Sequence, residues 1–349
     1  MTLVKKKRQI QLDRSNKRSK RGTMKLLWSG LLILSLLVLS ACGQNSENTA
    51  KIVEGKVNVV TTFYPVYAFT AAIGGEDANV INLLPTGVEP HDWTPKSQDI
   101  VNTSKAQLFL YNGAGLEGWV PNFLKSLNSD SKVKAVAVSE GVKLLSAEGD
   151  DGHGHGEEHA DDHADENGNE EQVADHHIDP HTWVSPKSAL IMAKNIKNSL
   201  TEVDPAHKAG YEKRYEELRT KLEALDQHFT NELASVPKKE IVVSHQAFGY
   251  LARDYGLKQH AIMGLSPDAE PTGQDIVKLA KLVKDEGIKY IFFEELVSDK
   301  LAKTLASEAG VETMVLNPVE GLTQEQVNNK DDYFTLMEKN LQNLLIALK

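Results

Sequence analysis

The sequence predicts an α/β protein of two lobes, each built around a central sheet, with one long α-helix joining them. Three observations carry this reading. From Lys56 onward, short β-branched or apolar runs alternate with segments of helical length, the rhythm of βαβ units in a parallel sheet. The same rhythm restarts after Pro237. Between the two stretches, residues 211–236 run without Pro or Gly in an amphipathic helical pattern. A chain of 349 residues is long enough to bury a core in each lobe.

The N-terminus reads as a targeting segment that precedes the fold. Residues 1–41 hold ten Lys/Arg and one acid. Lys25 precedes an apolar core, Leu31 to Leu39, that falls short of the about 20 residues a permanent membrane helix needs. It ends in Leu39-Ser40-Ala41-Cys42, small residues directly before the only cysteine of the chain. This resembles a bacterial lipoprotein signal, in which Cys42 is lipidated and becomes the new N-terminus. Residues 1–41 are then the signal peptide, and 42–55 the lipidated cysteine with its polar tether. Acyl chains would hold the mature protein on the extracytoplasmic face of the cell membrane. Met24-Lys25-Leu26-Leu27 makes a sufficient start of this kind, so Met24 is the expected initiator and residues 1–23 an untranslated preamble.

The first lobe is expected over residues 56–204. Its strands are Val57–Val60, Val80–Leu84, Leu108–Tyr111 and Val133–Val138, each a short β-branched or apolar run. The joining helix is expected over 205–236. There Tyr215, Leu218, Leu222, Leu225, Phe229 and Leu233 step by three or four along one face, and Glu216, Glu217, Lys221 and Glu223 supply the wet side. About 30 residues at 1.5 Å each reach roughly 45 Å, the width of a domain. The second lobe is expected over 237–349, with strands at Ile241–Val243, Tyr290–Phe293 and Thr313–Leu316 and a closing helix over Asp331–Leu348. Residues 148–177 fit neither lobe. They hold six histidines (His153, His155, His159, His163, His176, His177) and twelve acids with no Lys or Arg, too little apolar content to fold, and read as an inserted loop suited to loose metal capture.

Composition narrows the function. A charged fraction of 25% and a hydrophobic fraction of 40% are ordinary for a soluble globular chain and exclude a polytopic membrane protein. Beyond residue 41 there are 29 basic against 48 acidic residues, a formal charge of −19, which excludes a nucleic-acid partner. One cysteine excludes both a disulfide scaffold and a thiolate-rich metal site.

Six histidines lie outside the acidic loop. His207, His228 and His260 sit on or beside helical stretches without a supporting motif and read as ordinary surface or core-edge side chains. His91 and His181 lie in proline-framed loops, whose stiff backbones suit the fixing of imidazoles around an ion. His245 directly follows Ile241-Val242-Val243-Ser244, at the carboxyl end of a strand, the edge where open α/β sheets bind ligands. Three imidazoles from three separated loops suit a borderline-soft divalent ion such as zinc. No HExxH, GxSxG or Walker pattern is present, so the residues alone leave a metal carrier and a metallohydrolase both open.

Five stretches decide between them by resemblance. They are Glu89-Pro90-His91-Asp92-Trp93-Thr94-Pro95, Asp179-Pro180-His181-Thr182-Trp183, Ser244-His245-Gln246-Ala247-Phe248-Gly249-Tyr250, Gly264–Thr272, and Leu316-Asn317-Pro318-Val319-Glu320-Gly321-Leu322. From Val57 to the C-terminus the chain resembles solute-binding protein family 9, the lipid-anchored zinc and manganese receptors of ABC importers, which include metal-binding adhesin lipoproteins. The resemblance implies metal held in the cleft between the lobes by His91, His181, His245 and Glu320. It implies transfer to a membrane permease powered by a cytoplasmic ATPase, by a monomer that is not an enzyme. The histidine-rich loop looks like that of the zinc-specific branch, and manganese members present a carboxylate where this chain has His245. Zinc is therefore the expected ion; a manganese receptor or adhesin of the same family, and a zinc metallohydrolase, are the alternatives. Two departures stand out. Ser185 replaces a commonly acidic residue, although it can still cap a helix starting at Pro186. The additional C-terminal metal-binding domain of some zinc receptors is expected to be absent. Glu320 is chosen over Glu294 and Glu295 because the resemblance places the fourth ligand in its loop.

Overall fold

The computed structural model describes residues 51–146, 178–267 and 271–349. The signal peptide, Cys42, most of the tether and the six loop histidines lie outside the described residues. Two all-parallel sheets of four strands organise the chain. The first, in the order β2-β1-β3-β4, comprises β1 (Val57–Thr61), β2 (Ala78–Asn82), β3 (Leu108–Tyr111) and β4 (Lys134–Ala137). The second, in the order β6-β5-β7-β8, comprises β5 (Glu240–Val243), β6 (Lys258–Ala261), β7 (Tyr290–Phe293) and β8 (Glu312–Val315). Parallel strands need crossover helices, and the chain supplies α1 (Tyr64–Gly74), α2 (Ser97–Ser104) and α3 (Val120–Lys125) in the first lobe. In the second lobe they are α6 (Gly249–Tyr255), α7 (Gly273–Asp285) and α8 (Lys300–Ala309), following α4 (Pro186–Val203) and α5 (Lys208–Ala234) in chain order. The chain closes with α9 (Gln324–Asn329) and α10 (Tyr333–Ala347). Helices on both faces explain why the central strands read as continuous apolar runs rather than alternating ones.

The long helix α5 has 27 residues and therefore spans about 40 Å. A short 3₁₀ turn, Pro205–His207, leads into it. Leu218, Leu222, Leu225, Phe229 and Leu233 are buried along one face, as their spacing predicts. That face packs on α1 and α4 of the first lobe and on α6 and α10 of the second. One buried core therefore runs through both lobes along α5, and a smaller one lies under α7 and α8. Tyr333, on α10, reaches back across the molecule: its ring packs edge-on to Phe69 at 4.8 Å, and its hydroxyl donates to the Trp183 carbonyl at 2.7 Å.

Strand β6 departs from the sequence expectation. Lys258-Gln259-His260-Ala261 is polar and lies at a sheet edge, so no apolar run announces it, and His260 stands on this strand beside Glu240 rather than near a helix. Strand β2 begins at Ala78, two residues earlier than its apolar run. Leu83 and Leu84 still run alongside β1, donating to the Thr61 and Thr62 carbonyls. Ser185 starts α4 but does not cap it with its side chain; its hydroxyl donates to Asp254 instead. Proline at the first turn of α4 removes one of the donors a cap would have satisfied. Among the described residues no helix is long and apolar enough to cross a membrane.

Candidate metal centre

Loops after β2, β5 and β8 meet the segment around His181 between the lobes. The loop after β2 carries His91, whose backbone N–H donates to both Glu89 carboxylate oxygens at 3.0 Å. Its Gly87 N–H donates across the cleft to the Leu322 carbonyl at 2.9 Å, which ties this loop to the one bearing Glu320. His181 precedes a 3₁₀ turn, Thr182–Val184. Asn112, just beyond β3, anchors that turn by donating to the Pro180 carbonyl at 2.8 Å and accepting from the Thr182 hydroxyl at 2.9 Å. One residue, Ser244, separates His245 from the end of β5. Glu320 follows β8 on a loop that is held tightly, not free to bend: Asn317 Oδ1 accepts from Val319 N at 2.7 Å, and Trp183 Nε1 donates to the Pro318 carbonyl at 2.7 Å. Val319 sits at φ +59°, a left-handed conformation costly for a β-branched residue, which the buried contacts around it enforce.

The four side chains converge on one point. His181 Nε2 lies 3.1 Å from His91 Nε2 and 3.2 Å from His245 Nε2. Glu320 Oε1 lies 3.5, 3.4 and 3.7 Å from the Nε2 atoms of His91, His181 and His245. One ligand atom from each residue falls within 4.8 Å of the others. Zinc in tetrahedral coordination at about 2.0–2.1 Å puts its ligand atoms about 3.3–3.4 Å apart, the middle of these distances. Glu320 Oε1 is buried and makes no hydrogen bond, an orphan that a cation at the centre would satisfy.

Carboxylates behind the rings set their orientation. His181 Nδ1 lies 2.8 Å from Asp179 Oδ1, and His245 Nδ1 lies 2.6 Å from Glu294 Oε1. A proton held at Nδ1 in this way leaves Nε2 as a lone pair aimed at the shared centre. Ser244 Oγ also donates to Glu294 Oε1. Glu294 therefore orients the His245 ring. Glu295 faces away, accepting from Asn317 and Gln326 at 2.6 Å each. Asp179 was legible only as part of a motif; its signal is a carboxylate two residues before a loop histidine.

The electrostatics of the cluster oppose each other by design of position. Burial pushes the His91 imidazole below its ordinary range. Burial acts on His181 in the same sense, but its hydrogen bond to Asp179 and the nearby Glu320 carboxylate outweigh it and raise the ring. His245, with burial likewise opposing charge, is pushed up to about 10 by Glu294 and Glu320. Burial would raise Glu320, yet the three imidazoles hold it well below the usual carboxylate range. Glu89, nearer solvent, is pushed up to about 7 by burial and then by the charge of Glu320. A dication at this centre would have to replace the proton that His245 otherwise carries, so any cation here would compete with protons. The other histidines outside the acidic loop stay apart: His207 pairs with Asp204, and His228 with Glu338.

Comparison with known proteins agrees with this geometry. The family described as zinc-uptake complex component A, periplasmic, matches residues 59–347. The chain belongs to this family. The zinc-binding protein AdcA of Streptococcus pyogenes is 42% identical over 317 residues, covering 91% of this chain and 61% of that protein. This chain thus spans about three-fifths of the length of the AdcA relatives it matches. The high-affinity zinc uptake system protein ZnuA of Bacillus subtilis is 42% identical over 324 residues, covering 92% of this chain and 98% of its own. The crystal structure of the Zn(II)-bound ZnuA-like domain of Streptococcus pneumoniae AdcA superposes with a TM-score of 0.69 at 39% identity, covering 84% of this chain and 99% of that one. The laminin-binding protein of Streptococcus agalactiae, described as bifunctional with adhesin and metal-transporting activity, superposes with a TM-score of 0.71 at 30% identity, covering 84% of this chain and all of its own. The family's two-lobed α/β fold is the fold seen here.

Proposed function

We propose that this protein is an extracytoplasmic zinc receptor that captures Zn2+ in the cleft and delivers it to an ABC-type permease driven by a cytoplasmic ATPase. The observation that carries the reading is the convergence of His91, His181 and His245 Nε2 with Glu320 Oε1 within 4.8 Å, fed from loops of both lobes. Three nitrogens and one carboxylate favour zinc over manganese, which prefers harder oxygen ligands. Four protein ligands close the coordination sphere, whereas a catalytic zinc keeps a position for water, so the site is a carrier's and not a hydrolase's. The family membership and the names of the zinc-binding relatives support the same ion.

The remaining parts of the reading come from the chain itself. Cys42 is the lipid attachment point, 56–204 and 237–349 are the two lobes, and His153, His155, His159, His163, His176 and His177 gather zinc weakly ahead of the cleft. The receptor works as a monomer. The test is complementation of a cell lacking its zinc receptor on chelator-treated medium. The wild-type gene restores growth, Cys42→Ala releases the protein from membranes without altering its zinc affinity, and His181→Ala fails to restore growth. Growth supported equally by His181→Ala would overturn the proposal.

A further inference from the structure

A site closed by four protein ligands holds its ion well and exchanges it slowly unless some group shares the ion on the way in and out. Three of the four ligands are almost wholly buried; His91 alone keeps an exposed edge, with 10% of its side chain accessible. The way to solvent therefore passes His91. Beside it stands Glu89, whose Oε1 lies 3.9 Å from His91 Nε2, close to the 3.7 Å that separates Glu320 Oε1 from His245 Nε2. Unlike Glu320, Glu89 also lines an open cavity of about 960 Å³ between the lobes, together with Trp93, Lys96, Met263, Leu296 and Lys300. Its carboxylate is held in place by the His91 backbone N–H at 3.0 Å, so it presents an oxygen at the boundary of cavity and cluster without searching for it.

We propose that Glu89 is the transfer ligand of this site: its carboxylate takes the hydrated ion from the cavity, shares it with His91, and shares it again during release. The inference rests on the cleft reading above and deepens it. Charge supports the role. Zinc bound by three neutral imidazoles and Glu320 keeps one net positive charge, and a second carboxylate at the mouth balances it while one histidine is not yet bound or already lost. Each new ligand bond displaces one water from the ion, and the reverse sequence returns those waters on release. A carboxylate lining the route also raises the local cation concentration there.

The experiment is stopped-flow measurement of Zn2+ capture and of Zn2+ release to excess chelator on the purified protein. Glu89→Gln keeps an acceptor for the His91 N–H but removes the charge. Capture and release should both slow, by about tenfold each, because a charged group on the path acts on both directions. Their ratio, the affinity, should then change much less than either rate. Acetate added to Glu89→Ala should restore part of both rates, which a purely structural role would not allow. Unchanged rates in Glu89→Gln, or faster release with capture unaltered, would overturn the proposal. Absence of stoichiometric zinc binding by the wild-type protein would instead refute the cleft reading itself, so the two failures are separable.

Discussion

Replacing Glu320 by Ala removes the carboxylate from the centre of the cluster while leaving all three imidazoles. Its Oε1 lies 3.4–3.7 Å from three Nε2 atoms, so the ion loses its single negative ligand and keeps its full double charge in a buried place. Breaking one partner of a buried charge pair costs about 3–5 kcal/mol, which is a loss of roughly 150- to 5,000-fold in affinity. Glu294→Ala acts through the orientation of His245, whose Nδ1 it holds, and should cost about 10–100-fold, the usual penalty for a group that orients a ligand. Glu295→Ala touches no ligand. It loosens Asn317 and Gln326 under the Glu320 loop and should cost less than either. Competition against a fluorescent chelator at fixed pH gives the three affinities, and thermal unfolding of each metal-free variant checks that it folds. If Glu294→Ala or Glu295→Ala proves more damaging than Glu320→Ala, the fourth ligand belongs to the loop after β7.

Four further outcomes follow from the same reading. His245→Asp places a harder oxygen where a borderline nitrogen stood and should shift the zinc-to-manganese affinity ratio toward manganese, measured by paired titrations; an unchanged ratio removes His245 from the ligand set. His245, pushed up to about 10 in the metal-free protein, carries a proton at neutral pH that zinc must displace, so apparent affinity should rise between pH 6 and 8. The slope should be at least about one log unit per pH unit, because one displaced proton gives a tenfold change per unit; a flat profile would contradict the ring's charged state. The same raised ring stabilises the metal-free fold below its unfolded value of about 6.5, and that contribution should fade as pH climbs toward 10 in denaturant titrations. Deleting residues 148–177 should leave the cleft affinity nearly intact and remove weaker zinc equivalents in calorimetry; identical stoichiometry with and without the loop would show it to be a merely solvated insertion.

Much of the fold was legible because burial and spacing coincide. Helix α5 shows its buried Leu218, Leu222, Leu225, Phe229 and Leu233 at helical intervals, and β1, β3, β5 and β7 are apolar because they are central strands covered on both faces. Strand β6 escaped because an edge strand needs no apolar run, and its polar Lys258-Gln259-His260 carries none. The three histidines that converge in the cleft stand out in the sequence as isolated imidazoles beside prolines and a strand end. The choice of Glu320 was not a property of spacing, since Glu294 and Glu295 also follow a strand. It depends on the left-handed turn at Val319, enforced by Asn317 and Trp183 from sequence-distant places. Ser185 shows the converse: a good capping residue by type was drawn off by Asp254, a partner 69 positions away.

The central claim is that one ion is closed in by four named atoms. Crystals of the zinc-loaded protein, with diffraction collected on both sides of the zinc absorption edge, locate that ion directly. A single strong anomalous peak is expected at about 2.0–2.2 Å from His91 Nε2, His181 Nε2, His245 Nε2 and a Glu320 carboxylate oxygen, with no water bound to it. A peak elsewhere, a water in place of Glu320, or ligation by Glu294 would contradict it.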